Sequence, residues 1–484
     1  MIRFHALPLF CAALLASAVA GFALGEDPIG LQALRAFDPT LTGSGIAIGQ
    51  VEALSAAGDT DYEVNPGVVG QTVDQMVGKF IYTGTDGSTS TVFPNTVGTE
   101  SGHANTVADI LYGDTDTANP EGVAPAVSEI ENFDAAYFAY TIVPDSTAID
   151  ARIVNQSFVL DGTAADQGYD NYAAAHNTLF ISANGNSGTP VSPSTSYNGI
   201  GVAAYEGASA VGPTLDGRSK PDITAPGDAT SDSAPLVSGA AVLLLQAAGR
   251  GDAGAGTAGD ASDARVLKAL LLNGAVKPAD WTHTDTAPLD PKYGAGILNV
   301  YNSYMNLRAG EYGNSGATSG AVAAIDSGGI VPDEGWDLSS ITNALDGTGN
   351  YVNQSNHYLI DLASDAGSAF TLTSTLTWWR QSGQQDINNL DLYLFDATTG
   401  TTISLSDSTV DNVQQLYVPN LLPGQYDLVV VKNGGAPLSG SGTVVTPSET
   451  YALAFNFSPV PEPSVSWLLL LAFAALPAVV RRPS

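Results

Sequence analysis

Gly43-Ser44-Gly45-Ile46-Ala47-Ile48-Gly49-Gln50-Val51-Glu52 is a glycine-led apolar run that ends on an acid. A continuous apolar run of this length suits a strand buried on both faces. Residues 153–154, 179–182 and 200–204 read the same way, and 106–111, 235–248 and 262–273 read as helices. Strands and helices that alternate from residue 26 to 309 predict an α/β domain built on a parallel sheet.

Beyond it the pattern changes. Residues 310–350 are rich in Gly, Ser and Asp and read as a linker or a loosely ordered edge. From 351 to 458 the chain reads as all-β. Leu390-Asp391-Leu392-Tyr393-Leu394-Phe395-Asp396 alternates strictly, and further strand runs are separated by turn pairs such as Pro423-Gly424 and Asn433-Gly434. Short strands at this spacing predict a smaller β-sandwich domain.

The 484 residues are 44% hydrophobic, enough for a sizeable core. Charged residues make up only 13%, yet 49 acids face 16 Lys and Arg, a net charge of −33. Such a chain repels phosphate backbones, which disfavours nucleic-acid partners. Residues 1–20 carry Arg3, an apolar core from Leu7 to Leu15 and the small-residue site Ala18-Val19-Ala20, the layout of a secretory signal peptide. The single cysteine, Cys11, falls inside it, so neither disulfides nor thiol chemistry are expected of the mature protein.

A serine hydroxyl is a weak nucleophile at neutral pH. It needs a base within hydrogen-bond reach and an acid that fixes the base's tautomer. Of the five histidines, only His103 sits in a glycine-led helix start, Gly102-His103-Ala104-Asn105-Thr106-Val107-Ala108. Ser231 lies in Ala229-Thr230-Ser231-Asp232-Ser233-Ala234-Pro235-Leu236-Val237-Ser238-Gly239. With Pro235 expected in the first helical turn, Ser231 is expected just before a helix N-terminus, where free N–H groups favour developing negative charge. Acid, histidine, serine is one of the chain orders that build a catalytic triad.

These three segments resemble the motifs of the subtilisin-like serine peptidases, the subtilases. Gly217-Arg218-Ser219-Lys220-Pro221-Asp222-Ile223-Thr224-Ala225-Pro226-Gly227 matches the family's approach to its serine, and Gly122-Val123-Ala124-Pro125 and Tyr293-Gly294-Ala295-Gly296-Ile297-Leu298-Asn299 match it structurally. The resemblance implies a subtilisin-like parallel-sheet domain with helices on both faces. It implies a secreted serine endopeptidase that cleaves polypeptides through Ser231, His103 and Glu52 and an acyl-enzyme. Ile181-Ser182-Ala183-Asn184-Gly185-Asn186-Ser187-Gly188 resembles the family's oxyanion segment, with Asn186 in register and Asn184 as the off-register competitor. Val154-Asn155-Gln156-Ser157-Phe158 resembles the cleft wall and implies Ser157 as a substrate-binding residue.

The chain departs from the family at named positions. Glu52 stands in place of aspartate, Ala229 of glycine, Asp232 of methionine and Leu236 of histidine. Glutamate adds about 1.5 Å of reach, and the alanine would tighten the turn before the serine. Asp59 and Asp61 are weaker alternatives for the acid, since neither ends the apolar strand. The family often carries a long inhibitory propeptide, and only residues 21–42 are available for one. These departures motivate the alternative reading, a catalytically weak or inactive subtilase-fold envelope protein acting as a binding scaffold.

Residues 390–396, Asp411-Asn412-Val413 and Leu422-Pro423-Gly424-Gln425-Tyr426 resemble the β-sandwich domains appended to secreted bacterial peptidases, which implies stability or substrate binding. Finally, Val460-Pro461-Glu462-Pro463, the apolar run 465–480 and Arg481-Arg482 resemble a PEP-CTERM sorting tail, spanning 459–484. That implies an exosortase-type processing partner and delivery to the envelope or extracellular surface of a Gram-negative-type bacterium. A plain C-terminal membrane anchor is the alternative. No cofactor is called for. Structural calcium would suit an acidic secreted chain, but no 12-residue EF-hand-type loop occurs.

Overall fold

The opening run forms the strand Ala47–Glu52, and it lies inside an eight-stranded sheet. The computed structural model describes residues 27–71, 79–115, 122–363, 369–434 and 446–460. The expected signal peptide, residues 1–20, and all of the expected sorting tail except 459–460 lie outside the described residues.

Across the sheet the strands run Ile223–Pro226, Ile200–Tyr205, Leu179–Ala183, Ile153–Gln156, Ala47–Glu52, Glu129–Asp134, Phe80–Thr83 and Thr89–Ser90. All neighbours are parallel except the last pair. Successive residues feed different cores. Ile48 and Ile153 pack with the Thr230–Arg250 helix, whereas Val51, Val154 and Phe180 pack with Phe138 and Tyr169 on the other face. That explains the unbroken apolar runs: both faces of the central strands are covered.

From Ala47–Glu52 the chain first builds strands on one side, then crosses back to build Ile153–Gln156 on the other. The strand order therefore reverses at Glu52. In open α/β sheets, ligands bind outside the carboxyl ends of the strands at such a reversal. Glu52, Ser157, Asn186 and Ser231 all lie at or just beyond carboxyl ends of this sheet's strands.

The Thr230–Arg250 helix is buried along most of its 21 residues. It begins earlier than expected, so Pro235 sits within it and Ser231 is its second residue rather than a residue before it. A Cβ on Gly239 would lie 2.4 Å from Val123 Cβ. Val123 and Ala124 in turn donate backbone N–H groups to Ile110 and Leu111 at the end of the Gly102–Tyr112 helix. One missing side chain thus sets the separation of the histidine and serine helices.

The second domain is a sandwich of two mainly antiparallel sheets. One contains Gly316–Ser319, Gln354–Leu362, Gly424–Lys432, Leu390–Asp396 and Thr402–Ser406, with Ile330–Val331 paired parallel to Gln354–Leu362. The other contains Glu334–Thr342, Ser448–Pro459, Phe370–Trp378 and Val413–Leu421. Trp378, Tyr358, Leu392 and Phe455 fill the space between.

The expected linker 310–350 is corrected here, because Gly316–Ser319, Ile330–Val331 and Glu334–Thr342 belong to these sheets. Glu334–Thr342 pairs along its length with Ser448–Pro459, and at Trp336 it also bridges to Glu311 on its other side. Its two apolar anchors serve different cores, Trp336 that of the α/β domain and Ile341 that of the sandwich, so few apolar residues mark it as a strand.

We expect Gly239→Ala to destabilise the fold. Alanine gains about 1 kcal/mol of helix propensity, but overpacking against a fully buried Val123 costs about 1–3 kcal/mol. A drop in the thermal midpoint checks this; an unchanged or raised midpoint refutes the tight approach.

Candidate active site

Glu52 is fully buried at the carboxyl end of its strand. Its Oε2 lies 2.7 Å from His103 Nδ1. A carboxylate only accepts hydrogen bonds, so the proton sits on Nδ1 and Nε2 is left as the acceptor, the tautomer a general base requires. Glu52 Oε1 accepts from Gln50 Nε2 at 2.8 Å. Both carboxylate oxygens are therefore engaged.

His103 is the second residue of the Gly102–Tyr112 helix, which Ser101 caps by accepting the Ala104 N–H at 3.3 Å. The ring stays open to solvent, with its side chain 47% exposed. Its pKa is raised above the ordinary 6.5, first through the hydrogen bond to Glu52; burial opposes this, and the charges of Glu52 and Asp232 add to it.

Ser231 is the second residue of the long helix. Its Oγ donates to the Ser157 carbonyl at 3.4 Å, and Ser157 Oγ donates to the Ser231 carbonyl at 3.1 Å. Pro235 explains the second bond. In a regular helix the N–H of residue 235 would serve the carbonyl of residue 231, and proline has none. Ser157 fills the vacancy, itself held by Asn155 Nδ2 at 3.1 Å. No hydrogen bond joins Ser231 Oγ to His103 among the described residues.

Ala229, the N-cap, has φ −140° and ψ 163°, an ordinary extended conformation. Alanine in place of glycine therefore does not tighten this turn, contrary to the expectation from the sequence. Asp232 Oδ2 accepts the Ala229 N–H at 3.1 Å, holding the helix start from within.

Asn186 Oδ1 accepts from Thr230 N at 2.9 Å and Thr230 Oγ1 at 2.8 Å. Its Nδ2 keeps no partner among the described residues, and neither does the Ser231 N–H. These are two unspent donors at one helix start. Asn184 is different: it is fully buried, donates to the Ala210 carbonyl at 3.2 Å and accepts from Ser194 at 3.2 Å. Its hydrogen bonds are committed to the interior, whereas Asn186 is exposed. Asp61, one of the two alternative acids, is tied to Ser55. Among the described residues, no group of three or more His, Cys, Asp or Glu side chains is placed to hold a metal ion.

Gln50, Tyr112 and Thr230 escaped the reading of the sequence. Gln50 carried one available signal: it stands two residues before Glu52 on a strand and therefore shares its face.

Residues 82–296 match the model of the subtilase family, peptidase S8, and the chain carries a domain of that serine peptidase family with a subtilisin-like fold. The match includes His103, Asn186 and Ser231 and begins after Glu52. Solved structures similar to this chain include that of MycP1 from the ESX-1 type VII secretion system, at 16% identity over 57% of this chain and 84% of that one, with a TM-score of 0.40. The Clostridium perfringens CspB protease is 12% identical over 59% of this chain and 99% of that one, with a TM-score of 0.44. Tripeptidyl peptidase 2 is 13% identical with a TM-score of 0.36; the similarity covers 79% of this chain, which spans only 42% of that one. No curated protein matches the chain by sequence.

The charges around His103 make a measurable prediction. Its titration, followed by NMR of the ring, is expected to have a midpoint above 6.5. Asp232→Asn keeps an acceptor for Ala229 but removes a charge, so it is expected to lower that midpoint. A midpoint that does not move would show that Asp232 does not act on the ring.

Proposed function

We propose that the chain is a serine endopeptidase. Ser231 Oγ attacks the peptide carbonyl while His103 Nε2 takes its proton. Glu52 holds the imidazole and stabilises the imidazolium. Asn186 Nδ2 and the Ser231 N–H donate to the oxyanion, at a helix start whose dipole favours negative charge. His103 then passes the proton to the leaving amine, and water hydrolyses the acyl-enzyme by the same route. The substrate backbone lies along the Ser157 segment as an added strand. The observation that carries this reading is the 2.7 Å contact between Glu52 and His103. The raised pKa of His103 sets the sign of the pH dependence: the base is protonated as pH falls through a value above 6.5, and activity falls with it.

A second reading, a non-catalytic binding scaffold, is favoured by one observation. The resting Ser231 hydroxyl bonds to Ser157 and not to the base. Catalytic hydrogen bonds are often loose without substrate, and rotation about one side-chain torsion redirects the hydroxyl. Labelling by a serine-reactive phosphonate separates the two readings. The peptidase is labelled at Ser231, and Ser231→Ala loses label and about 10⁴-fold or more of its activity. His103→Ala serves as the second control. A folded wild-type chain that takes no label supports the scaffold.

We also propose export, with cleavage after residue 20 and removal of the Pro-Glu-Pro tail by an exosortase-type membrane enzyme. The sequence layout of both terminal segments, each with its parts in the expected succession, supports this. Mass spectrometry of the protein from its native host is expected to give a chain that starts near residue 21 and ends near 461–463. An intact C-terminus retained in the membrane would point instead to a plain anchor.

A further inference from the structure

We propose that Gln50 is the positioning residue that makes a glutamate work at position 52, with Tyr112 holding Gln50 from behind; this rests on the Ser231–His103–Glu52 reading. Gln50 and Glu52 are two residues apart on one strand, so their side chains share a face, and both are fully buried. Gln50 Nε2 has two hydrogens. One goes to Glu52 Oε1 at 2.8 Å and the other to the Ala104 carbonyl at 2.9 Å. Gln50 Oε1 accepts from Tyr112 OH at 2.5 Å. Rotating the amide would set its oxygen against a carboxylate and a carbonyl, acceptor against acceptor. The orientation is therefore unique, and a donor always faces Glu52.

This contact addresses the problem that glutamate raises. The extra methylene adds a torsion and about 1.5 Å of reach. A carboxylate bound only to His103 would be free to swing, and the acid's task is orientation. The strand cannot retreat to absorb the length, because Glu52 pairs with Asp134 on one side and Val51 with Gln156 on the other. Gln50 instead pins the second oxygen. The same amide grips Ala104, the residue after His103, so it fixes the acid relative to the backbone that carries the base. Gln50 touches neither substrate nor reacting atoms, and Tyr112 lies one step further back on the same helix as His103.

The test uses the full chain with Gln50→Leu, Tyr112→Phe, Glu52→Asp and Glu52→Ala, each checked for thermal unfolding. Gln50→Leu is expected to lower kcat by about 10²-fold, the scale of a small misplacement of a catalytic group, with KM nearly unchanged. Tyr112→Phe, which keeps the ring and serves if Gln50→Leu fails to fold, is expected to act in the same direction with a smaller effect. In the Glu52→Ala background, Gln50→Leu should cost nothing further, because its target is gone. Glu52→Asp should also lower kcat, since the shorter side chain withdraws from both partners.

Independent of activity, both Gln50→Leu and Tyr112→Phe should weaken the His103 Nδ1–H signal in the NMR spectrum and lower the ring's titration midpoint. Wild-type kcat in Gln50→Leu, an undiminished effect in the Glu52→Ala background, or a gain with Glu52→Asp would overturn the proposal. If the wild type takes no phosphonate but the His103 signature responds, the peptidase reading fails and the positioning role stands. If the wild type is active and the signature is unmoved, the positioning role alone fails.

Discussion

A buried carboxylate whose two oxygens both carry hydrogen bonds is the constraint on which the rest of this site turns. Taking an unpaired carboxylate out of water costs several kcal/mol or more. Glu52 is fully buried and meets that cost with Gln50 on one oxygen and His103 on the other. The arrangement is possible only because the strand sits where the sheet order reverses. There the carboxyl edge opens a crevice, while strands on both sides hold the backbone rigid. Orientation of the His103 ring is thus inherited from sheet pairing, through one side chain.

The serine is positioned by a different device. Pro235 withdraws one helical donor, and the carbonyl it leaves unserved belongs to Ser231 itself. Ser157, at the end of the strand next to Glu52's, satisfies that carbonyl and receives the Ser231 hydroxyl in return. Asn186 accepts from Thr230 twice, which ties the end of another strand to the same helix start. The helix N-terminus is therefore clamped from two strands, and the Asn186 Nδ2 and Ser231 N–H remain unspent beside it.

Much of this was legible in the sequence, because the motif residues announce their own chemistry. The glycine-led strand, the histidine at a helix start and the serine before a proline each carry a local signal. What stayed hidden was relational. Gln50 looks like any polar residue in a strand until its same-face partner is seen to be a glutamate. Ser157 reads as a cleft residue, and its bond to the Ser231 carbonyl follows only once Pro235 is known to lie inside the helix. The stretch 310–350 misled because its strands are short or rich in Gly, Ser and Asp, and the burial of Gly335 and Asp337 beside Trp336 follows only from the elements that cover them.

The sandwich domain bears on the site through the segment that leads to the serine. Asp411 accepts the Ser219 N–H at 2.7 Å, and Asn412 donates to the Tyr197 carbonyl at 2.9 Å. Tyr197 lies between two guanidinium groups, Arg218 from the α/β domain and Arg380 from the sandwich. A few residues on, Asp222 is fully buried between Lys220 and Lys268, and it accepts the Gly201 N–H at 2.6 Å. Their charges hold its carboxyl below the usual range, against the cost of burial. Ile223–Pro226, the last strand before Ser231, starts directly from that buried cluster. The core of the α/β domain also runs into the sandwich through Trp336, Trp379 and Val413. Contacts of this kind are not those of a module tethered by a flexible linker. The sandwich braces the strand that leads to Ser231, as neighbouring strands brace the one that carries Glu52.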